Sequence, residues 1–137
     1  MAGMRLGLMV GLLALAGCKM PMAQHPASVT MPAIYLVFFH PASADITPVG
    51  KQIVDQAAAK VKESKPSTVT IAGYTADVGD PDEKLHMANQ RIDAVRQALI
   101  ADGVDPKLFL SIPLGPPDDS AGKTGDRRIE IRLQYGG

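Results

Sequence analysis

Two short stretches constrain the fold more than anything else in the chain: "ITPVG" at Ile46 to Gly50 and "DPDE" at Asp80 to Glu83. Each puts a capping side chain, Thr47 or Asp80, directly ahead of a proline, and a proline at the first helical position forfeits only an N–H that would be unbonded anyway. Glu83 stands three residues after Asp80, where a capping box has its acidic member. Behind the first start, Val49, Ile53, Val54, Ala57, Ala58 and Val61 recur at helical spacing until Lys65 and Pro66 stop the run. Behind the second, Leu85, Ala88, Ile92, Val95 and Leu99 mark an apolar stripe that ends at Gly103.

The segments around these helices have strand character. "AIYLVFF", Ala33 to Phe39, is a continuous β-branched and aromatic run, which predicts a strand buried on both faces. "STVTIAG", Ser67 to Gly73, sets Val69 and Ile71 against Thr68 and Thr70, and "KLFLSI" from Lys107 supplies a third strand. "PLGPPDDSAGKTG", Pro113 to Gly125, is too rich in proline and glycine for regular structure and predicts an exposed loop. In "RRIEIRLQY" Ile129, Ile131, Leu133 and Tyr135 alternate with Glu130, Arg132 and Gln134, a strand with one wet face. Strands alternating with helices and closed by two strands predict an α/β two-layer sandwich, a βαβαββ mixed sheet with its helices on one side.

The N-terminus stands apart from this pattern. "MAGMRLGLMVGLLALAGCKM" has a single early basic residue, Arg5, and then an apolar run from Leu6 to Ala16. About a dozen residues cannot cross a bilayer, which needs ~20, but the basic, apolar and small-residue order is that of an export signal. Its end, "LAGC" at Leu15 to Cys18, resembles the lipobox of bacterial lipoproteins. That resemblance implies a signal peptide over 1–17, diacylation of Cys18, and, with Lys19 rather than Asp next, an outer-membrane location with the chain facing the periplasm. Cys18 is also the one cysteine of the chain, so no internal disulfide can form. Residues 18–31 follow as a proline-bearing tether that reaches at most about 40 Å, leaving 32–137 as the domain.

Composition excludes several function classes. Lys plus Arg and Asp plus Glu number 14 each, so no net field argues for nucleic acid as a partner. His25, His40 and His86 have neither a zinc-protease spacing nor cysteine partners. The carboxylates of "DVGDPDE" lack the spacing of a calcium loop and suit a helix N-terminus. No Ser-His-Asp set, phosphate loop or dinucleotide fingerprint is present, and neither enzyme activity nor a metal or cofactor is expected.

Three blocks carry a resemblance to a known family: "VFFHPASADITP" at Val37 to Pro48, "GYTADVG" at Gly73 to Gly79, and "GDRRIEIRL" at Gly125 to Leu133. Together with Arg91 on the second helix, they are similar to the OmpA-like, or Pal-like, peptidoglycan-binding domain. The resemblance implies non-covalent binding of peptidoglycan through the zwitterionic end of diaminopimelate in the stem peptide. Arg91 would fork onto the ligand carboxylate and an aspartate would take its ammonium. It marks Phe39, Thr75, Ala76, Asp77, Arg91 and Arg128 as ligand-binding. The chain departs from the family pattern where Ala76 occupies the place of the loop aspartate and Asp77 comes one residue late. Further departures are His40, Lys84, Met87-Ala88, Ile92 and Asp126. By spacing alone, three residues from Ala88 and four from Val95, Arg91 also reads as a surface arginine at the edge of the stripe. Two functions therefore stand side by side: an envelope tether that binds peptidoglycan, or a domain of the same fold that serves as a structural or protein-interaction part of an envelope assembly.

Overall fold

The structure, a computed structural model, describes residues 32–76, 79–115, 125 and 127–136. The elements run β1 (Ile34–Phe38), α1 (Pro48–Ser64), β2 (Thr68–Thr75), α2 (Pro81–Ala101), a short 3-10 turn (Pro106–Leu108), β3 (Phe109–Leu114) and β4 (Arg127–Gln134). The four strands form one sheet in the order β1-β4-β2-β3. β4 is antiparallel to both of its neighbours, whereas β2 and β3 are parallel. Both helices cover one face of this mixed sheet, the two-layer α/β sandwich expected from the order of elements.

Local chemistry fixes where the helices begin and end. Thr47 Oγ1 accepts from Gly50 N–H at 3.0 Å, and Asp80 Oδ1 accepts from Asp82 and Glu83 N–H at 3.0 Å each. The α1 chain exits through Lys65, whose φ of 48° is left-handed and whose N–H bonds Val61 O at 2.9 Å. Between the layers the core consists of Val37, Val69, Ile71, Ile129, Ile131 and Leu133 from the sheet against Val54, Ala57, Ala58, Val61, Ile92, Val95 and Leu99 from the helices. Gly73 lets α2 approach β2: a Cβ there would lie 3.1 Å from both Ile92 Cδ1 and Ile129 Cδ1.

Several expectations need correction. β1 is buried on one face only, because it is an edge strand and no helix covers the outer face; Ile34, Leu36 and Phe38 are 54%, 41% and 40% exposed. Val49 and Leu85 lie off the buried faces of their helices, Val49 at 68% exposure. The wet face of β4 is partly dry, since Glu130 is buried between two arginines, and Thr70 on central β2 is buried as well. β2 runs through Gly73 to Thr75, and β3 continues through Pro113 to Leu114, which an edge strand tolerates. Residues 1–31, with the signal, Cys18 and the tether, lie outside the described residues, as do Asp77 and most of the loop expected between Pro113 and Gly125.

Candidate functional site

At one end of the sheet, on the helix-covered face, three neighbouring strands deliver Phe39, Arg127 and Thr75 side by side. Phe39 N–H donates to Arg127 O at 2.9 Å, and Arg127 Nε returns a bond to Phe39 O at 3.1 Å. Thr75 is the partner of Arg127 on the other side of β4. Its hydroxyl is fully buried and has no hydrogen-bond partner among the described residues.

Above this row stands Arg91. The stripe that buries Ala88, Ile92 and Val95 carries position 91 inward as well, so Arg91 is 0% exposed, and its reading as a surface arginine is excluded. Its guanidinium lies 5.3 Å from the ring centroid of Phe39, which is itself buried. Nε donates to Ser43 O at 2.8 Å and Nη2 to His40 O at 3.2 Å. A buried cation costs several kcal/mol unless its N–H groups are satisfied, and here carbonyls of the β1–α1 loop and an aromatic face meet it. Between those two carbonyls, Ala42 has a φ of 48°, a left-handed conformation that costs a non-glycine residue about 1 kcal/mol. The charge of Arg91 thus organises the loop that leads into α1.

The residues named from sequence divide between two faces. Phe39, Thr75 and Arg91 share the helix-covered side. Ala76, half-buried, follows Thr75 directly at the end of β2, and Asp77 lies outside the described residues.

Arg128 is on the opposite face of the sheet. There its guanidinium stacks 4.0 Å from the ring centroid of Tyr74 and donates to Gly125 O at 2.7 Å and Glu130 Oε1 at 2.9 Å. Arg132 also bonds Glu130, and Tyr74 accepts from Arg132 Nη2 at 3.3 Å. Burial pushes the Glu130 carboxyl upward, but the two guanidiniums outweigh it and hold the group below the usual carboxylate range.

On the helix-covered face β4 presents Arg127, which lies in the quoted block "GDRRIEIRL" but is not among the residues the resemblance marks as ligand-binding. Its signal was present: Arg127 keeps the same parity as the inward Ile129, Ile131 and Leu133, whereas Arg128 keeps that of Glu130 and Arg132.

The profile of the OmpA family matches residues 38–130, a stretch that includes every element of this site. The chain belongs to the OmpA family. Among curated OmpA-family relatives, it is 35% identical over 103 residues to the probable lipoprotein YiaD of Escherichia coli, an alignment that covers 71% of this chain and 47% of that protein. The chain thus spans about half the length of that relative. It is 30% identical over 94 residues to the peptidoglycan-binding protein ArfA of Mycobacterium bovis, covering 64% of this chain and 29% of that one. Among solved structures, the peptidoglycan-associated lipoprotein from Burkholderia pseudomallei superimposes with a TM-score of 0.65 at 24% identity, over 73% of this chain and 90% of that one. The periplasmic domain of Helicobacter pylori MotB gives 0.62 at 19% identity, over 80% of each chain. Likenesses of this size establish the OmpA-like fold.

Proposed function

We propose that this protein is an outer-membrane lipoprotein whose OmpA-like domain holds the envelope to peptidoglycan without catalysing a reaction. Arg91 carries the reading: within the family-matched stretch, a buried guanidinium is held over the ring of Phe39, on the same helix-covered side of the sheet as Thr75, whose buried hydroxyl has no partner among the described residues. Peptidoglycan binding by ArfA, a relative of the same family, supports the choice of ligand. The finer ligand is the diaminopimelate end of the stem peptide, whose carboxylate is a stronger acceptor for Arg91 than the neutral carbonyls of His40 and Ser43. Because Arg91 has no exposed surface, the structure around it would have to open for that carboxylate to reach it. Acyl chains on Cys18 would supply the membrane anchor, since two or more chains hold stably where one does not.

Cosedimentation of the domain with isolated sacculi tests this function. Retention on diaminopimelate-type sacculi and loss of it on lysine-type sacculi, which lack the second carboxylate, is the expected pair of results. No retention on either rejects it. Replacing Cys18 by Ser should release the product from membranes or leave an uncleaved precursor; mature-sized protein that stays in the membrane fraction rejects the anchor.

The second reading, a structural or protein-interaction part of an envelope assembly without a sugar-peptide ligand, has an observation of its own. Arg91 is fully buried and bonded to the loop it organises, and that is sufficient for a purely structural role.

A further inference from the structure

The exposed face of β1 leads to an inference independent of any peptidoglycan ligand. Leu133 N–H donates to Ala33 O at 2.9 Å and Phe39 N–H to Arg127 O at 2.9 Å. Peptide groups alternate sides along a strand, so Ala33, Tyr35, Val37 and Phe39 turn theirs toward β4. Ile34, Leu36 and Phe38 must then turn both N–H and C=O outward, and among the described residues no strand pairs with that edge. These are the same three residues whose side chains stand exposed on the bare face of the sheet. Beside them, Val49 and Ile53 of α1 continue the apolar surface into an open hollow of ≈ 270 Å³ that Leu36 and Phe38 also line.

An uncharged edge with free peptide groups is a template for another strand, and proteins normally block such edges with a charge, a proline or a bulge. The far edge is blocked in this way: β3 carries Pro113 within the strand. β1, "IYLVF", carries no block.

We propose that β1 is a self-pairing edge, and that two copies of this chain join antiparallel across a two-fold axis at Leu36 into one eight-stranded sheet. The sequence of β1 favours a second copy over a foreign strand. With Leu36 on the axis, Leu36 meets Leu36, Ile34 meets Phe38 and Tyr35 meets Val37 of the second copy, so every cross-strand pair is apolar or aromatic and no charge opposes a like charge. The same register satisfies all the outward groups at once, in about six hydrogen bonds. A shift by one residue would turn Leu36 against a side chain of the other face.

Cysteine cross-linking in the full chain, expressed in a bacterial envelope and mildly oxidised, tests the register. In the pair at Leu36 the Cα atoms would stand about 5.5 Å apart, within disulfide reach. Leu36→Cys should therefore give a dimer band well above the wild-type baseline. Ile34→Cys should not, because its two copies lie about 13 Å apart along the strands. The double variant Ile34→Cys with Phe38→Cys should cross-link again, and adding Leu36→Lys to it should cut that yield about fivefold or more by setting like charges on the axis. All these positions are substantially exposed, so the fold tolerates the changes. A Leu36→Cys yield at baseline, equal yields from Leu36→Cys and Ile34→Cys, a cross-link to another protein instead, or indifference to Leu36→Lys would each overturn the proposal.

Discussion

The guanidinium of Arg91 rests 5.3 Å from the ring centroid of Phe39, and it is the bulkiest fully buried side chain among the described residues. A cation in that position does the structural work of a core residue and keeps the chemistry of a binding group. The substitutions below separate the two.

Arg91→Lys preserves the charge but replaces the planar fork by a compact ammonium on a different stem, which does not reproduce the Nε and Nη2 positions that meet Ser43 O and His40 O. The domain should lose about 1.5 to 3 kcal/mol of stability. Urea denaturation reads this directly, and an unchanged midpoint would show that the loop does not depend on the fork. Retention on sacculi, measured on the folded fraction, should fall as well; if stability drops and retention does not, Arg91 is purely structural.

Ala76 offers a ligand ammonium only a methyl group, so Ala76→Asp should restore one charge-assisted contact. If the acidic half of the site is simply missing, retention on sacculi rises about ten- to a hundredfold, and Asp77→Ala is silent. If Asp77 has taken over the role, Asp77→Ala abolishes retention and Ala76→Asp adds little. No retention in either variant, with the fold intact, favours the interaction-module reading.

On the bare face of the sheet, Glu130 is held below the usual carboxylate range by Arg132 and Arg128 against the upward push of burial. Its lowered folded pKa means that the stability it contributes is complete above the unfolded value of about 4.3 and is lost as pH falls through the folded one. Glu130→Gln should therefore destabilise the domain at neutral pH, by about 1.5 to 3 kcal/mol, and flatten the acid limb of its stability curve. Thermal melts between pH 7 and pH 2 measure both. Parallel acid limbs in the variant and the wild type would reject the assignment.

Lys65 ends α1 in a left-handed conformation that glycine adopts without a Cβ penalty. Relief of that strain outweighs the extra freedom of glycine in the unfolded chain, so Lys65→Gly should gain about 0.5 to 1 kcal/mol. A melting temperature at or below that of the wild type contradicts this.

The elements were legible in the sequence because their signals are local. Thr47-Pro48 and Asp80-Pro81 cap helices that start where they were expected, and inward parity in β4 follows Ile129, Ile131 and Leu133. What the sequence hid depends on position in the sheet. "AIYLVFF" looks alike in a central or an edge strand, so the exposure of Ile34, Leu36 and Phe38 could be learned only from the strand order. Arg91 showed the same limit in reverse: its spacing suited either the rim or the interior of the stripe, and the burial of its charge depends on carbonyls 48 and 51 residues away. The adjacent Arg127 and Arg128 are separated by the alternation of β4, which turns Arg127 to the helix-covered face and Arg128 to the other.

The strand order has a consequence for how the chain comes into being. β4, the last strand described, lies between β1 and β2, so β1 pairs with residues close to a hundred positions downstream. Until Arg127 to Gln134 arrive, the first strand has no neighbour within the sheet, and an incomplete chain can assemble only the β2–β3 pair with its helices. Any truncation that removes β4 therefore divides the sheet in two rather than trimming its edge. Closing so long a loop before its contacts form makes folding slow relative to helical proteins of this size. The sheet becomes continuous only when β4 inserts between β1 and β2.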